Sequence, residues 1–302
     1  MALSHPLPEE DEAQPVAPAP AWRGPLAALG RLRESPIAMT GAGILLFWAT
    51  LALLAPVLPL LDPNTPMEPF KFPGDVARDG ETVFWLGTDH KGRDMLSRLV
   101  WGSRRVLVWA SLATACAYVA GVLMGLVAGY RGGWRDEVIS FAANVLLSFP
   151  VMVLYIVVIT RLGASGLNIV LAVTFASAPG IMRIVRGLAL DLKSRDYVQA
   201  ARARGEGPWR IMLVELLPNV RGPLIVDACL RLGYTTVTIA MLGFLGLGLP
   251  PPDPDWGQMI AETQPLGSLA GHMALLPAAA ITSLVLGFNL LADGLREISL
   301  RD

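Results

Sequence analysis

Long apolar runs alternate with short polar segments along most of this chain. Each of six runs is close to, or exceeds, the roughly 20 mainly apolar residues that a helix needs to cross a bilayer. The six runs cover residues 37–61, 106–130, 138–160, 167–185, 223–245 and 272–292. The pattern predicts an all-α membrane protein with about six transmembrane helices.

The composition supports this prediction. Of the 302 residues, 53% are hydrophobic and 16% are charged, whereas soluble domains usually carry about 25% charged residues. The mean hydropathy is +0.51. The low charged fraction and the long uncharged runs indicate that membrane lipid surrounds the chain. The net charge of −1 gives no indication of a nucleic-acid partner.

Cysteine and histidine usage predicts neither a disulfide framework nor a metal site. Cys116 and Cys229 both lie inside apolar runs, where buried free thiols are expected. The three histidines, His5, His90 and His272, are widely scattered and lack metal-ligand spacing. We therefore expect no metal and no cofactor.

The first 36 residues differ from the rest of the chain. Residues 1–22 are acidic and rich in proline and alanine, a composition typical of disorder, and they lack the apolar stretch of a signal peptide. Arg23, Arg31 and Arg33 follow, a placement compatible with an interfacial helix. The predicted organisation is a disordered tail and pre-span segment at 1–36, a first span with an external segment at 37–102, a membrane core at 103–294 and a tail at 295–302.

The distribution of basic residues predicts the orientation. With the N-terminus inside, fifteen of the 24 lysines and arginines lie in inner segments and eight in outer segments. Basic residues favour the cytoplasmic side of membrane proteins. We therefore predict that both the N-terminus and the C-terminus are cytoplasmic.

Two features of the apolar runs and their connections predict local geometry. Gly121, Gly125 and Gly129 recur every four residues in the second run, which favours close helix packing. Between the fourth and fifth runs lies a polar, basic segment, residues 195–217, which we call the hairpin.

The hairpin carries signals for a helix, a sharp turn and a second helix. Ser194 is predicted to cap a first helix that starts at Arg195. Gly205 can supply the left-handed conformation that ends it. Pro208 suits the first position of the second helix, and Pro218 is predicted to break or kink that helix as it enters the fifth span.

The hairpin resembles the "EAA" loop of ABC importer permeases, in which an Ala-Ala pair is followed by Gly and, further on, by Leu-Pro. The sequence departs from that pattern at Gln199, where the usual residue is Glu, and at Glu215, where His is frequent. The resemblance implies that an ATPase subunit docks on this loop. It implies the coupling residues Tyr197, Gln199, Ala200, Ala201, Gly205, Leu217 and Pro218.

Two further segments narrow the resemblance. Residues 85–107 are similar to the LGTD-x-x-GRD-x-x-SR-x-x-x-G-x-R segment of dipeptide, oligopeptide and nickel permeases, and residues 243–260 are similar to their FLGLG…P-x-WG segment. The resemblance implies the type I ABC importer transmembrane fold and the "C" partner of a permease pair. Its external gating candidates are Thr88, Asp89, Gly92, Arg93, Asp94, Arg98, Trp256 and Gly257.

Two interpretations of these external residues stay open. Thr88 or Asp89 is predicted to cap a helix that runs into the second span, and Asp94 and Arg98, four residues apart, are predicted to pair. These residues can hold the outer end of the second span in place. Alternatively, they can act in gating or in docking a receptor.

Asp227 and Arg231 are charged residues inside the fifth run, at positions where the related permeases usually carry uncharged residues. They lie four residues apart and are predicted to pair on one helix face. Such residues usually face a cavity or a partner. They are candidates for the substrate path, with two alternatives: a structural pair facing a neighbouring helix or the second permease, or a pore-lining pair that tunes substrate choice.

The chain has no candidate nucleotide site. A phosphate-binding loop requires G-x-x-x-x-G-K-[ST], and the three lysines are Lys71, Lys91 and Lys193. Lys193 precedes a serine but follows Leu192 rather than glycine. The chain is therefore expected not to be an enzyme, and the resemblance implies that two separate ABC ATPase subunits supply the energy.

The resemblance also implies the other partners and the location. They are a second homologous permease, an external substrate-binding protein and the bacterial cytoplasmic (inner) membrane. The implied substrates are di- and oligopeptides, with nickel, opines, glutathione or sugars as alternatives. An ion-coupled secondary transporter is the alternative from another class; it would require inverted repeats and several intramembrane ionisable residues.

Overall fold

The computed structural model describes Arg33 and residues 35–301, the last three by backbone alone. The predicted disordered tail, Arg23 and Arg31 lie outside these residues. The described residues form ten α-helices, a short 3-10 helix (Gln264–Leu266) and one short antiparallel strand pair, β1 (Asp75–Val76) with β2 (Val83–Phe84). The helices are α1 (Pro36–Leu54), α2 (Met95–Arg131), α3 (Gly133–Leu147), α4 (Val151–Leu162), α5 (Gly166–Leu192), α6 (Asp196–Ala203), α7 (Pro208–Phe244), α8 (Trp256–Thr263), α9 (Gly267–Ala270) and α10 (His272–Arg301).

Five of these helices, α1, α2, α5, α7 and α10, are long and apolar enough to span a membrane. The prediction of one continuous third span at 138–160 is wrong, because α3 and α4 meet at an angle of 89°. Pro150, between them, has no N–H to donate, and it disfavours helical backbone at Phe149. The pair can count as a sixth, broken span, so the prediction of about six spans is confirmed.

Several predicted boundaries move for local reasons. α1 ends at Leu54 rather than at residue 61, because Pro56 cannot continue the helical hydrogen bonding. α2 begins at Met95 rather than at 106, since the Asp94 carboxylate caps it by accepting a hydrogen bond from the Ser97 N–H. Thr88 and Asp89 are therefore not its caps. α10 continues to Arg301, so most of the predicted tail at 295–302 is helical.

The glycine ladder packs α2 against α5, as predicted. A Cβ atom placed on Gly121, Gly125 or Gly129 would lie 2.6–2.7 Å from the Cβ atom of the facing α5 residue. Real side chains do not approach this closely, so only glycine allows the two helices this separation. The facing residues are Ile181, Val185 and Ala189.

One π-helical segment lies next to the hairpin and another lies inside it. One, Val127–Arg131, ends α2, and the other, Ile211–Leu216, lies inside α7 just before Pro218. α7 continues through Pro218 as helix, so of the two predicted outcomes, a break or a kink, the break is wrong. The wider π turn relieves the clash between the proline ring and the preceding turn. π-Helical turns occur frequently at functional sites.

Candidate functional site

The first helix of the hairpin, α6, begins one residue later than predicted. Arg195 has an extended backbone and is the N-cap, without a side-chain capping bond. Ser194 does not cap the helix, because its hydroxyl donates instead to the Asp191 carbonyl at 3.2 Å. Asp196 lies in the first turn, where its charge opposes the helix dipole.

The turn of the hairpin has the predicted geometry. Gly205 has φ of +79°, and its N–H donates to the Arg202 carbonyl at 2.9 Å. The Glu206 N–H donates to the Ala201 carbonyl at 3.2 Å, which satisfies the carbonyls at the end of α6. Pro208 is the first residue of α7. The helix, turn and second helix predicted from sequence are therefore confirmed.

The hairpin has a buried inner face and an exposed outer face. Val198 and Ala201 are fully buried and pack with apolar residues of α5 and α7. Ala200, the other member of the Ala-Ala pair, is exposed. Among the other predicted coupling residues, Gln199, Gly205 and Pro218 are exposed, whereas Tyr197 and Leu217 are half-buried. The outer face can therefore accept a partner surface while the inner face holds the hairpin in place.

Two cation–aromatic contacts, one on each arm, tie the hairpin to the end of α2. The Arg202 guanidinium lies 4.9 Å from the Tyr130 ring centroid, and its Nε atom donates to the Tyr130 hydroxyl at 3.2 Å. Arg131 lies 5.4 Å from the ring centroid of Trp209 on the other arm. A cation over an aromatic face is attracted by the ring quadrupole. Movement of the hairpin would therefore pull on α2.

Glu215, which departs from the family pattern, makes its ion pair with another residue of the hairpin. Its carboxylate lies 3.9 Å from the Arg204 guanidinium. Arg204 in turn pairs with Glu206 at 2.7 Å. The substitution thus adds a weak ion pair across the turn.

At the N-terminal end of α2, which the predicted orientation places outside, the 85–107 segment forms a network of charges. Arg93 bridges two carboxylates: its Nε atom lies 2.6 Å from Asp89 and its Nη2 atom 2.7 Å from Glu262 on α8. Lys91 contacts Glu262 at 2.9 Å. The buried Arg98 lies 3.9 Å from Asp89 and donates to a backbone carbonyl at 3.1 Å. We call these five residues the outer network.

The predicted pair between Asp94 and Arg98 does not form. The Asp94 carboxylate instead accepts hydrogen bonds from the Ser97 N–H and hydroxyl, at 2.7 and 2.6 Å. Capping the helix occupies this carboxylate, so Arg98 turns towards Asp89.

The remaining external candidates also make structural contacts. The Thr88 hydroxyl accepts a bond from the Lys71 N–H at 3.0 Å. Gly92 has φ of +80°, and its carbonyl accepts from Met67 at 2.8 Å. These contacts hold the segment before α2 against the loop that follows α1.

Trp256 and Gly257 lock α8 onto its neighbours. The fully buried Trp256 donates from Nε1 to the Leu99 carbonyl at 3.1 Å. A Cβ atom on Gly257 would lie 1.9 Å from the Ala240 carbonyl oxygen, so only glycine fits there. Asp255 caps α8, and burial raises the pKa of Asp255, against hydrogen bonds from three backbone N–H groups that lower it. These contacts favour the interpretation that the external motifs hold the outer end of the bundle together.

The outer network should stabilise the protein less at acidic pH. Burial alone would raise the pKa of Glu262, but hydrogen bonds and charges from Lys91 and Arg93 bring it below the ordinary value of 4.5. Because the carboxylate has a lower pKa when folded, its stabilisation is present above about pH 4.5 and is lost as the pH falls through the folded-state pKa. Partial solvent exposure limits the expected effect to about 1 kcal/mol.

Glu262→Gln should therefore lower the melting temperature of the purified protein at pH 7, and the difference from wild type should shrink below pH 4.5. The control is Glu81→Gln, since Glu81 is exposed and outside the network. If Glu262→Gln lowered the melting temperature equally at pH 7 and pH 4, the charge of Glu262 would not be what stabilises the folded protein.

Two carboxylates of the outer network and the neighbouring His90 are close enough together to hold a metal ion. The ligand atoms of Asp89, His90 and Glu262 lie within 4.8 Å of one another. However, both carboxylates already bind cationic side chains, namely Arg93 and Lys91. A metal ion would have to displace these, so the geometry describes an ion-pair network.

The intramembrane pair forms as predicted. The Arg231 Nε atom lies 2.7 Å from the Asp227 carboxylate, and each side chain is 23% exposed. The Tyr118 hydroxyl on α2 also donates to Asp227. The pair therefore links α7 to a neighbouring helix of the same chain.

Sequence reasoning missed Glu262, Tyr118 and Tyr130. Glu262 pairs with a residue 171 positions away, and Tyr118 bonds one 109 positions away. Spacing along the chain gives no signal for such contacts. Tyr130 at the end of α2 carries only the general signal of an aromatic residue at a membrane boundary.

Comparisons with known proteins agree with this architecture. The family model "Binding-protein-dependent transport system inner membrane component" matches residues 121–302. A chain from crystal structures of the MetNI methionine ABC transporter in inward facing conformations aligns with a TM-score of 0.57. It is 21% identical and covers 68% of this chain and 97% of that chain, so it shows the fold alone.

Three curated relatives extend the match in sequence. The dipeptide transport system permease DppC of Alkalihalophilus pseudofirmus is 34% identical over 96% of this chain and 92% of its own length. The di/tripeptide permease DppC of Pseudomonas aeruginosa is 36% identical over 84% of this chain and 86% of its own length. The glutathione permease GsiD of Pectobacterium atrosepticum is 40% identical over 72% of each chain. This chain therefore belongs to the family of binding-protein-dependent transport system inner membrane components.

Proposed function

We propose that this chain is one of two permease subunits of an ATP-driven importer of di- and oligopeptides. The observation that carries the proposal is the hairpin, whose exposed turn at Gly205 is backed by a buried face and fastened to α2 at Tyr130. Such a part can transmit the motion of a docked subunit into the membrane. The peptide substrate follows from the named substrates of the relatives.

The remaining partners and the energy source complete the proposal. Two ATPase subunits dock on the hairpins of this chain and of a second, homologous permease, and they hydrolyse ATP. A binding protein delivers the substrate from outside to the bacterial inner membrane. This division of labour is supported by the sequence, which lacks a phosphate-binding loop.

Co-purification tests the assembly. A tagged form of this chain should bring down a second permease and two copies of an ATPase subunit. The measurement is the mass of the intact detergent-solubilised complex. A chain that purifies without these subunits and transports by itself would be a secondary transporter instead.

Glutathione is a second candidate substrate, because a glutathione permease is 40% identical to this chain. Competition against uptake of a labelled dipeptide separates the two. Unlabelled dipeptides should inhibit uptake at lower concentration than glutathione does. The reverse order would assign the importer to glutathione.

The orientation gives a separate prediction. Both termini and the hairpin should face the cytoplasm, and the segment between α1 and α2 should face outside. In a protein with Cys116→Ala and Cys229→Ala, a thiol reagent that cannot cross the membrane should label Glu81→Cys but not Gly207→Cys. Both positions are exposed. The test uses spheroplasts, and labelling of position 207 before lysis would contradict the orientation.

A further inference from the structure

The Asp227–Arg231 pair lies near the middle of the membrane. Its partner Tyr118 is twelve residues before Tyr130, which touches the hairpin, and sixteen after Gly102, which touches Trp256 at the outer end. At 1.5 Å per residue these separations are about 18 and 24 Å. The pair is therefore far from both ends of α2, at a depth where charged residues usually face a cavity or a partner.

The Asp227 carboxylate contacts one side of the Arg231 guanidinium, the side of the Nε atom. Asp227 binds the Nε atom of Arg231 at 2.7 Å, and the same carboxylate oxygen accepts the Tyr118 hydroxyl. In the described part of the chain, Asp227 contacts the Nε atom of Arg231 rather than either Nη atom, and the Tyr118 hydroxyl also lies within hydrogen-bonding reach of the guanidinium. The two Nη atoms form the outer edge of the planar group, the edge that suits a bidentate contact with a carboxylate.

Gly180 on α5 leaves that edge uncovered. A Cβ atom at this position would meet only the Nη2 and Nη1 atoms of Arg231, at 3.5 and 3.7 Å. Any longer side chain would therefore lie over the guanidinium edge. Arg231 also keeps 23% of its side chain exposed, so this chain does not enclose it completely.

We propose that the Nη edge of Arg231 binds the carboxylate of the substrate as it crosses the membrane. Asp227 and Tyr118 are positioning residues that fix the plane of the guanidinium from its Nε side. The inference rests on the proposed function, since a peptide carries a terminal carboxylate. This chain would then contain a site that recognises the charge of the substrate, in addition to the selectivity of the external binding protein.

The test compares uptake of a labelled dipeptide with uptake of the same dipeptide as its C-terminal amide. The measurement uses proteoliposomes that contain the complete importer, its binding protein and internal ATP. The ratio of free-acid to amide uptake should fall about tenfold in Arg231→Gln, the effect expected when a charge-assisted contact is lost. Because every variant is assayed with the same binding protein, the preference of that protein cancels.

Gly180→Leu provides the second arm, because it covers the Nη edge and leaves the Asp227–Arg231 and Tyr118 contacts in place. It should lower the same ratio, whereas Gly187→Leu, on the same helix with nothing within 4 Å of its Cβ position, should not. An unchanged ratio in Arg231→Gln and Gly180→Leu would overturn the proposal. Loss of the second permease from both variants would overturn it too, since the edge would then bind that subunit.

A different outcome of the same assay would contradict the proposed function itself. If the wild-type importer takes up neither the dipeptide nor its amide, peptide import itself is contradicted. If it takes up both and the variants keep the wild-type ratio, only the role of the Arg231 edge is rejected.

Discussion

Gly205→Val is expected to leave the protein inserted in the membrane and to abolish its coupling to the ATPases. Gly205 has φ of +79°, a conformation that costs an L-residue about 1–2 kcal/mol and a β-branched residue more. To relieve this strain, the turn must open and the exposed face of α6 must leave its position relative to α7. We expect ATPase co-purification and ATP-driven uptake to fall by about tenfold or more.

The matched control is Gly207→Val, two residues along the same turn. Gly207 has φ of −67° and ψ of 152°, which any residue adopts, and nothing lies within 4 Å of its Cβ position. Both variants add the same side chain to an exposed loop, so a difference between them isolates the backbone conformation. Normal ATPase binding by Gly205→Val would show that the left-handed turn is not required for docking.

Gly125→Val is expected to destabilise the membrane bundle itself. Its Cβ atom would lie 2.6 Å from the Val185 Cβ atom and 2.8 Å from the Met182 carbonyl oxygen. Since one obstacle is backbone and the other is the branch point of a stiff side chain, α2 and α5 must move apart. Overpacking typically costs about 1–3 kcal/mol, and here we expect the upper end, measured as loss of thermal stability in detergent.

Gly43→Val in α1 serves as the control, because nothing lies within 4 Å of its Cβ position. This variant should keep the wild-type melting temperature. If Gly125→Val were as stable as Gly43→Val, the ladder between α2 and α5 would not depend on glycine.

The features predicted correctly from sequence are those with local causes. A helix that ends at Gly205 and another that starts at Pro208 depend on backbone preferences of those residues, so they can be read without knowing the rest of the fold. The same holds for the four-residue glycine spacing of Gly121, Gly125 and Gly129. The Asp227–Arg231 pair is likewise set by the period of one helix.

The errors have two physical sources. Hydropathy depends on composition and not on the direction of the chain. Residues 138–160 are therefore predicted to be one span, although the two helices on either side of Pro150 meet at 89°. Similarly, α2 begins in a polar segment that hydropathy excludes, because Asp94 caps it. The second source is distance along the chain: the partner of Arg93 on α8 and the partner of Asp227 on α2 are fixed only by the packing of whole helices.

This chain is expected to form half of a pathway that is driven by ATP hydrolysis in other subunits. The most direct measurement is uptake of a labelled dipeptide into proteoliposomes that contain this chain, its partner permease, the ATPases and the binding protein. Uptake is expected to require internal ATP and to disappear when this chain is omitted. Uptake by this chain alone, driven by an ion gradient without ATP, would contradict it.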